Sequence, residues 1–390
     1  GDSSSGLAAK RRSTATYKRN LSMHRVVLAA LVAALFACPA AADWPVFRGD
    51  GLMSGSGAAK LPDQLDVKWE FDPKTKGGGI EGAPAIVGGV AFVASLDKHL
   101  YAIDLATGKE KWKAKLGAMK ASPAVRDGRV YVGDLDGRFH CVSAADGKSL
   151  WTFATEGEIT AGANFHGANV LFGCHDSHLY CLNADGKKVW TAKVEGPIAA
   201  AAAVVGDTTF ATGCSDGVLR AFDAKTGKEL GALELGGETV TTAAVAGDRV
   251  YQSMISNSVV SGNVKDLKKL WTYTPPARQQ PFYSSAAVAE GVVVAGSRDK
   301  RLYALEADTG KQKWSFAAAG QIDASPVIVS GRVYVGSCDD DGYFYTLDLK
   351  TGKELHKLKL DAAVSGSAAV GPDCLVVGTD RGTLFCLGKK

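Results

Sequence analysis

A turn followed four residues later by tryptophan returns along this chain at intervals near forty residues. Gly108 leads to Trp112, Gly147 to Trp151, Gly186 to Trp190 and Gly310 to Trp314, while Leu267 takes the glycine place before Trp271. Two further copies keep the glycine and lose the ring: Gly227 precedes Gly231, and Gly352 precedes His356. These turn positions lie 39, 39, 41, 40, 43 and 42 residues apart. A period of this length with strand-like content marks a repeat architecture, most often a propeller. The repeat overrides the prior from length, because 390 residues would otherwise suggest two or three domains.

One copy shows what the unit folds into. Between Ala121 and Ala154, four short runs rich in β-branched and aromatic residues are separated by turns at Asp127-Gly128, Asp136-Gly137 and Asp146-Gly147. Such spacing predicts a four-stranded antiparallel meander. No stretch after residue 42 carries helical periodicity. The expected fold is all-β: an eight-bladed propeller whose sheets stack around an axis and bury one another's faces. Each tryptophan falls on an outer strand, where its ring can cover the seam to the next blade. This structural docking role is assigned to Trp69, Trp112, Trp151, Trp190, Trp271 and Trp314, because a ligand binds at one place and these rings recur around the circle. The last copy ends at Lys390 without a tryptophan strand, and Asp66 to Phe71 supplies that pattern at the other end of the chain. The N-terminal strand should therefore complete the eighth blade, leaving no open sheet edge.

The segments Tyr101-Ala102-Ile103-Asp104-Leu105-Ala106-Thr107-Gly108-Lys109-Glu110-Lys111-Trp112 and Tyr303 to Trp314 resemble the tryptophan-docking repeat of the PQQ-like propellers. The resemblance covers roughly residues 66–390. Asp43-Trp44-Pro45-Val46-Phe47-Arg48-Gly49 is similar to the leading segment of exported bacterial members, with Trp44 and Phe47 placed to cap one end of the ring. The resemblance implies one of two functions. Quinoprotein dehydrogenases hold PQQ and calcium over the axis, whereas BamB-like barrel-assembly lipoproteins use the same ring as a protein-binding scaffold without cofactor. This chain has no adjacent Cys-Cys pair, no C-x-x-C-H haem motif and only short linkers. The expectation is the scaffold branch, with no cofactor, and PQQ with calcium is the alternative.

The chain divides into a leader over residues 1–22, an export signal over 23–42, a capping segment over 43–65 and the propeller over 66–390. Met23-His24-Arg25 is a short basic start, Val26 to Phe36 is apolar, and Ala40-Ala41-Ala42 fits a small-residue cleavage site. The apolar run is too short to span a bilayer. A periplasmic or secreted protein is expected. Leu35-Phe36-Ala37-Cys38 also resembles a lipobox, which would instead anchor the chain to the outer membrane through Cys38. Six of the 45 Lys and Arg but only one of the 41 Asp and Glu precede residue 43, so the remainder is nearly neutral. That balance argues against nucleic-acid partners, which require clustered positive charge. Protein partners in the envelope and a monomeric ring are expected.

Alignment of the repeats on Gly133 and its equivalents brings one residue per blade to one mouth of the axis: Glu81, Lys120, Thr160, Ala200, Val240, Tyr283, Asp323 and Ser365. Of these, Glu81, Lys120, Tyr283 and Asp323 are the candidates for a small polar ligand. Calcium prefers several oxygens together, and here two carboxylates stand among a lysine, an alanine and a valine. Cys174, His175, His178 and Cys181 form the candidate metal set, because thiolate and imidazole suit zinc or copper, with His166 as a further neighbour. Side chains alternate along a hairpin, so ordinary hairpin residues are the competing reading. Gly77-Gly78-Gly79-Ile80-Glu81-Gly82 formally fits a dinucleotide fingerprint but leads into a propeller strand rather than a helix. No catalytic residue is assigned. Of the seven cysteines after Asp43, Cys141, Cys181 and Cys386 share one repeat position and Cys174 and Cys214 another. Cys374 and Cys386, flanking a turn at Asp380-Arg381, form the expected disulfide.

Overall fold

A computed structural model describes residues 43–75, 78–276 and 279–390. The leader, the export signal and Cys38 lie outside the described residues. The described chain forms eight antiparallel sheets in a closed sequence. Blade 1 comprises strands Ala85–Val87, Val90–Ala94, His99–Asp104 and Glu110–Lys115, counted from the axis outward. Blade 2 repeats the plan with Ala124–Arg126, Arg129–Gly133, Arg138–Ser143 and Ser149–Ala154. Blades 3 to 7 follow over 164–193, 203–234, 244–273, 287–317 and 327–359. The eighth joins Ala369–Val370, Cys374–Gly378 and Leu384–Gly388 to Asp66–Phe71 from the other end of the chain. Trp69 pairs with Cys386 and Phe71 with Leu384, so the two ends share one sheet as expected. The second and third strands of each blade are almost wholly buried, and the outer strands alternate between covered and exposed residues.

The seams explain the repeated tryptophan. Each indole lies against the turn glycine of the following blade and donates its Nε1–H to the carbonyl just past that blade's third strand. Trp69 bonds Leu105 O at 2.8 Å, Trp112 bonds Ala144 O at 3.0 Å, and Trp151 bonds Ala184 O at 2.9 Å. Trp190 reaches Ala224 O at 3.0 Å, Trp271 reaches Ala307 O at 3.0 Å, and Trp314 reaches Leu349 O at 2.9 Å. A buried indole N–H needs such an acceptor, and its ring buries a large apolar area. The glycine is required on two counts. A Cβ at Gly186 would fall 2.6 Å from the Trp151 ring, and φ there is 77°. Thus the turn glycine four residues before one tryptophan is the seat of the tryptophan one blade earlier. His356, which stands where blade 7 lacks the ring, donates from Nε2 to Leu65 O at 2.8 Å and makes an analogous bridge to blade 8.

The segment from Trp44 to Gly57 winds across one end of the axis and touches the blades in order. Trp44 exchanges two backbone bonds with Ile86 of blade 1, and Pro45 O accepts from Val125 of blade 2. Gly51 O takes Asn164 Nδ2 of blade 3 at 2.9 Å and the Val204 amide of blade 4 at 2.7 Å. Leu52, Ser54 and Gly55 then accept the amides of Val245, Val288 and Ile328 in blades 5, 6 and 7. Ser56–Gly57 adds a parallel strand beside Val327–Val329. These bonds satisfy the amides that face the axis at this end, which would otherwise be buried without partners. Arg48 is fully buried within the plug and donates from Nη2 to Ala286 O at 3.0 Å; burial pulls its guanidinium down to about 9.

Two sequence expectations are corrected. Cys174 and Cys214 do not share a repeat position. The register pairs Asn164 with Leu171 and Ala203 with Phe210, so Thr212 stands where Gly173 does and Gly213 corresponds to Cys174. Blade 4 runs one residue out of step with an alignment anchored on Gly213. The second correction is the disulfide: Cys374 and Cys386 are both free thiols. Cys386 pairs with Val376 and Cys374 with Gly388, leaving the two cysteines diagonal on neighbouring strands. Their thiols lie in hydrogen-bond contact, which together with burial pushes the Cys386 thiol up.

Candidate functional site at the open mouth

The plug closes one end of the axis, and the other opens into a polar cavity of about 170 Å³ floored by Phe47. Its rim carries Glu81, Lys120, Thr160, Val240, Tyr283, Asp323 and Ser365. In blade 4 the rim residue is Ala199 rather than Ala200. The reason is the same one-residue offset, which an alignment on Gly213 cannot detect. Hydrogen bonds confirm the equivalence. The amides of His175, Cys214, Ile255 and Arg298 bond the carbonyls of Glu158, Pro197, Glu238 and Pro281, each two residues before a rim position.

A second ring of side chains, from the hairpins between second and third strands, leans over this rim. Arg298 forks onto Asp323 with bonds of 2.9 and 2.8 Å and stacks 3.7 Å over the Tyr283 ring. A bidentate fork and a cation–π contact together fix the guanidinium plane, and the bond to Asp323 raises its pKa. His175 Nε2 meets Thr160 Oγ1 at 2.9 Å, and Ser365 donates to Asp380. Lys120 pairs with Glu81 at 3.0 Å. Burial holds the Asp380 carboxyl above its usual range against the bond from Ser365, and Glu81 and Asp323 add repulsion. Sequence reasoning missed Arg298 and Asp380 and read His175 only as a metal candidate. Each lies two residues after a glycine of the same alignment, so the signal was present one step along.

Below the rim sits a belt of hydroxyls. Ser122, Thr242, Ser285, Ser325 and Ser367 accept the amides of Ala83, Ala201, Thr242, Ser285 and Ser325, each from the preceding blade, at 2.9–3.0 Å. Acceptance of an amide leaves each hydroxyl proton free to donate toward the axis. The belt therefore stitches neighbouring blades and presents donors to whatever fills the cavity.

The residues present do not fit PQQ with calcium. Small-molecule sites usually offer at least roughly 300 Å³, and this cavity offers about 170 Å³. A calcium ion takes six to eight oxygens, whereas the Glu81 and Asp323 carboxylates already face Lys120 and Arg298. The cysteine–histidine set is dispersed by its hairpin. Cys174 Sγ lies 3.3 Å from both Thr155 Oγ1 and Gly157 O, His175 turns to Thr160, His178 Nδ1 meets Asp176 O, and Cys181 is buried opposite Trp190. His166 pairs with Asp207. Among the described residues, no three His, Cys, Asp or Glu side chains are grouped to hold a metal ion. No helix among them is long and apolar enough to cross a membrane.

Comparison with known proteins agrees with this architecture. The chain is 30% identical over 123 residues to the beta-alanine-activating enzyme of Danio rerio, covering 30% of this chain and 11% of that protein. It is 27% identical over 154 residues to the outer membrane protein assembly factor BamB of Shewanella oneidensis, covering 36% and 38%. It is also 32% identical over 121 residues to the quinohemoprotein alcohol dehydrogenase ADH IIB of Pseudomonas putida, covering 27% and 18%. The matches thus span well under half the length of these relatives. Among solved structures, BamB from Moraxella catarrhalis superposes with a TM-score of 0.71 at 17% identity, over 84% of this chain and 98% of that one. Quinohemoprotein alcohol dehydrogenase from Comamonas testosteroni gives 0.77 at 15% identity, over 89% and 81%. Residues 80–389 match the family described as the β-propeller of the beta-alanine-activating enzyme, and the chain belongs to this family of PQQ-like β-propellers.

Proposed function

We propose that this protein is a non-catalytic, exported propeller that binds protein partners in the cell envelope, in the manner of an outer-membrane assembly scaffold. The observation that carries the reading is a run of exposed apolar side chains at one repeat position on four consecutive blades. Leu150, Val189, Leu230 and Leu270 are 48%, 46%, 55% and 44% exposed. Each immediately precedes the tryptophan place of its outer strand. In blades 8, 1 and 6 that place holds Lys68, Lys111 and Lys313, so the fold accepts a charge there, and Leu355 of blade 7, 41% exposed, stands apart from the run of four. Apolar residues gathered on one arc of a rim are a feature of protein-contact surfaces. Similarity to BamB supports the same reading. The test is capture of partners from envelope extracts by the tagged wild type and by the Leu150→Lys/Leu270→Lys variant. The expected result is partner recovery by the first and its loss from the second. Failure to recover any partner, together with measurable turnover after reconstitution with PQQ and calcium, would defeat the proposal in favour of an oxidoreductase.

A second reading, small polar ligand binding at the open mouth, draws on the belt of uncommitted hydroxyl protons. A polyol or similar ligand would meet those donors and the rim charges. Its check is a binding screen in which Glu81→Gln and Asp323→Asn are compared with the wild type; unchanged affinity removes the mouth from consideration.

A further inference from the structure

The seam between blades 4 and 5 is built differently from its neighbours. The tryptophan place holds Gly231, and the turn place that seats an indole elsewhere holds Leu267 at φ 56°. The exchange is reciprocal. Without an indole, nothing forbids a Cβ at the turn, and Leu267 leans back until its Cδ1 lies 2.7 Å from where a Cβ on Gly231 would stand. The leucine is smaller than the missing ring, and a cavity of about 430 Å³ remains beside it.

Its walls are those of the filled seats. Phe210 pairs with Ala203 as Phe92 pairs with Ala85, Tyr131 with Ala124 and Tyr251 with Ala244. Those three aromatic residues lie 5.9–6.0 Å from Trp112, Trp151 and Trp271. Ala221, opposite Gly231, matches Cys141 opposite Trp151. Val264 directly follows the third strand, the place of five of the six carbonyls that accept an indole N–H; among the described residues, no donor reaches its oxygen. Phe210, Ala221, Val264 and Leu267 line the cavity, with exposed Leu230 at its lip.

We propose that this seam is an indole socket filled in trans by a tryptophan side chain presented by a partner polypeptide. The molecule itself identifies the occupant. Six equivalent seats in the same ring hold an indole with the same donor-to-carbonyl bond. The volume also falls within the range of sites that enclose small ligands. The Leu267 Cβ bars the full depth of the filled seats, so the ring would sit displaced outward in the cavity beside Leu267, against Phe210 and Ala221. The socket lies on the apolar arc and therefore rests on the scaffold reading, to which it adds the chemistry of one anchor. Aromatic anchors in preformed pockets commonly dominate protein–protein binding.

The test uses the full chain and N-acetyl-tryptophanamide as the probe, followed by saturation-transfer NMR. Binding is expected, at least about tenfold tighter than for N-acetyl-leucinamide and several-fold tighter than for the 1-methylindole analogue, which cannot donate to Val264. The Gly231→Trp/Leu267→Gly variant rebuilds a filled seat and should lose the probe. Leu230→Lys, a residue the other blades accept at that position, should weaken it several-fold and serves if the double variant does not fold. No binding, no preference for the indole, or undiminished binding by both variants overturns the socket. Partner capture separates the two proposals. Equal recovery of partners by the wild type and the double variant refutes the socket and leaves the scaffold standing. Probe binding without any captured partner refutes the scaffold and the trans occupant together.

Discussion

Six seams of this ring are filled by an indole on a glycine, and the seam between blades 4 and 5 is left with Gly231 facing Leu267. The contrast shows that the docking motif is a property of neighbouring pairs rather than of single repeats. Trp151 is held by Gly186 and Ala184 of the next blade. A repeat that loses its tryptophan therefore releases the following turn from needing glycine, and the leucine at 267 records that release. A stack of similar sheets depends on its nearest-neighbour contacts, so the weakest seam is where the ring has room for something else.

The comparison can be broken most directly at a filled seam. Trp151→Ala removes the ring and one of the two donors to the Ala184 carbonyl, the other being Arg129, and should cost about 3 kcal/mol in equilibrium urea unfolding; Leu267→Ala at the open seam should cost about 1 kcal/mol or less. Equal costs would mean that the indoles do not hold the ring. Gly186→Ala should cost about 2–3 kcal/mol, because it adds a clash to the left-handed backbone penalty. Gly206→Ala provides the control. There φ is 58° and a Cβ meets nothing within 4 Å, so only the backbone penalty of about 1 kcal/mol should appear. A smaller gain, about 1 kcal/mol, is expected when Gly231→Trp/Leu267→Gly converts the open seam into a filled one; a lower melting temperature would show that blade 4 cannot accept the consensus seat.

The smallest expected effect lies at the mouth, away from both kinds of seam. The unfolded Asp380 carboxyl ionises near ~3.9, and burial raises it in the folded state. The folded chain therefore keeps a proton that the unfolded chain has released, over a window that begins near ~pH 4. Stability contributed by the protonated form is present below that window and lost as pH rises through the folded value. Asp380→Asn should accordingly raise the melting temperature slightly at pH 7 and leave it unchanged at pH 3. A shift of equal size at both pH values would locate its cause outside ionisation.

Much of this was legible before any coordinates. Eight blades, four strands in each and closure by Asp66–Phe71 followed from period, turn chemistry and the missing last strand, because these are local patterns repeated many times. The rim residues were legible for the same reason in seven blades. Blade 4 defeated the alignment because Gly213 mimics Gly173 by composition, while the strand register there is set by pairing across the sheet. The partner of each tryptophan was hidden differently. Gly147 and Trp151 look like a unit in sequence, yet each serves a different seam. Arg298 and Asp380 escaped notice, and His175 was read only as a metal candidate, because these residues belong to hairpins that meet the rim only when each blade is folded and, for Arg298 and Asp323, when two blades are stacked.

The sequence by itself determined the sheets and their number, since turn glycines and alternating apolar residues act over a few residues and state their meaning at every repeat. Only the tertiary structure decided which groups meet between blades: the plug across one end, the paired charges at the other, and the unfilled seat at Gly231. Those contacts join residues as near in sequence as Arg298 and Asp323, 25 positions apart, and as far as Arg48 and Ala286, 238 apart, where spacing along the backbone carries no information about distance in space.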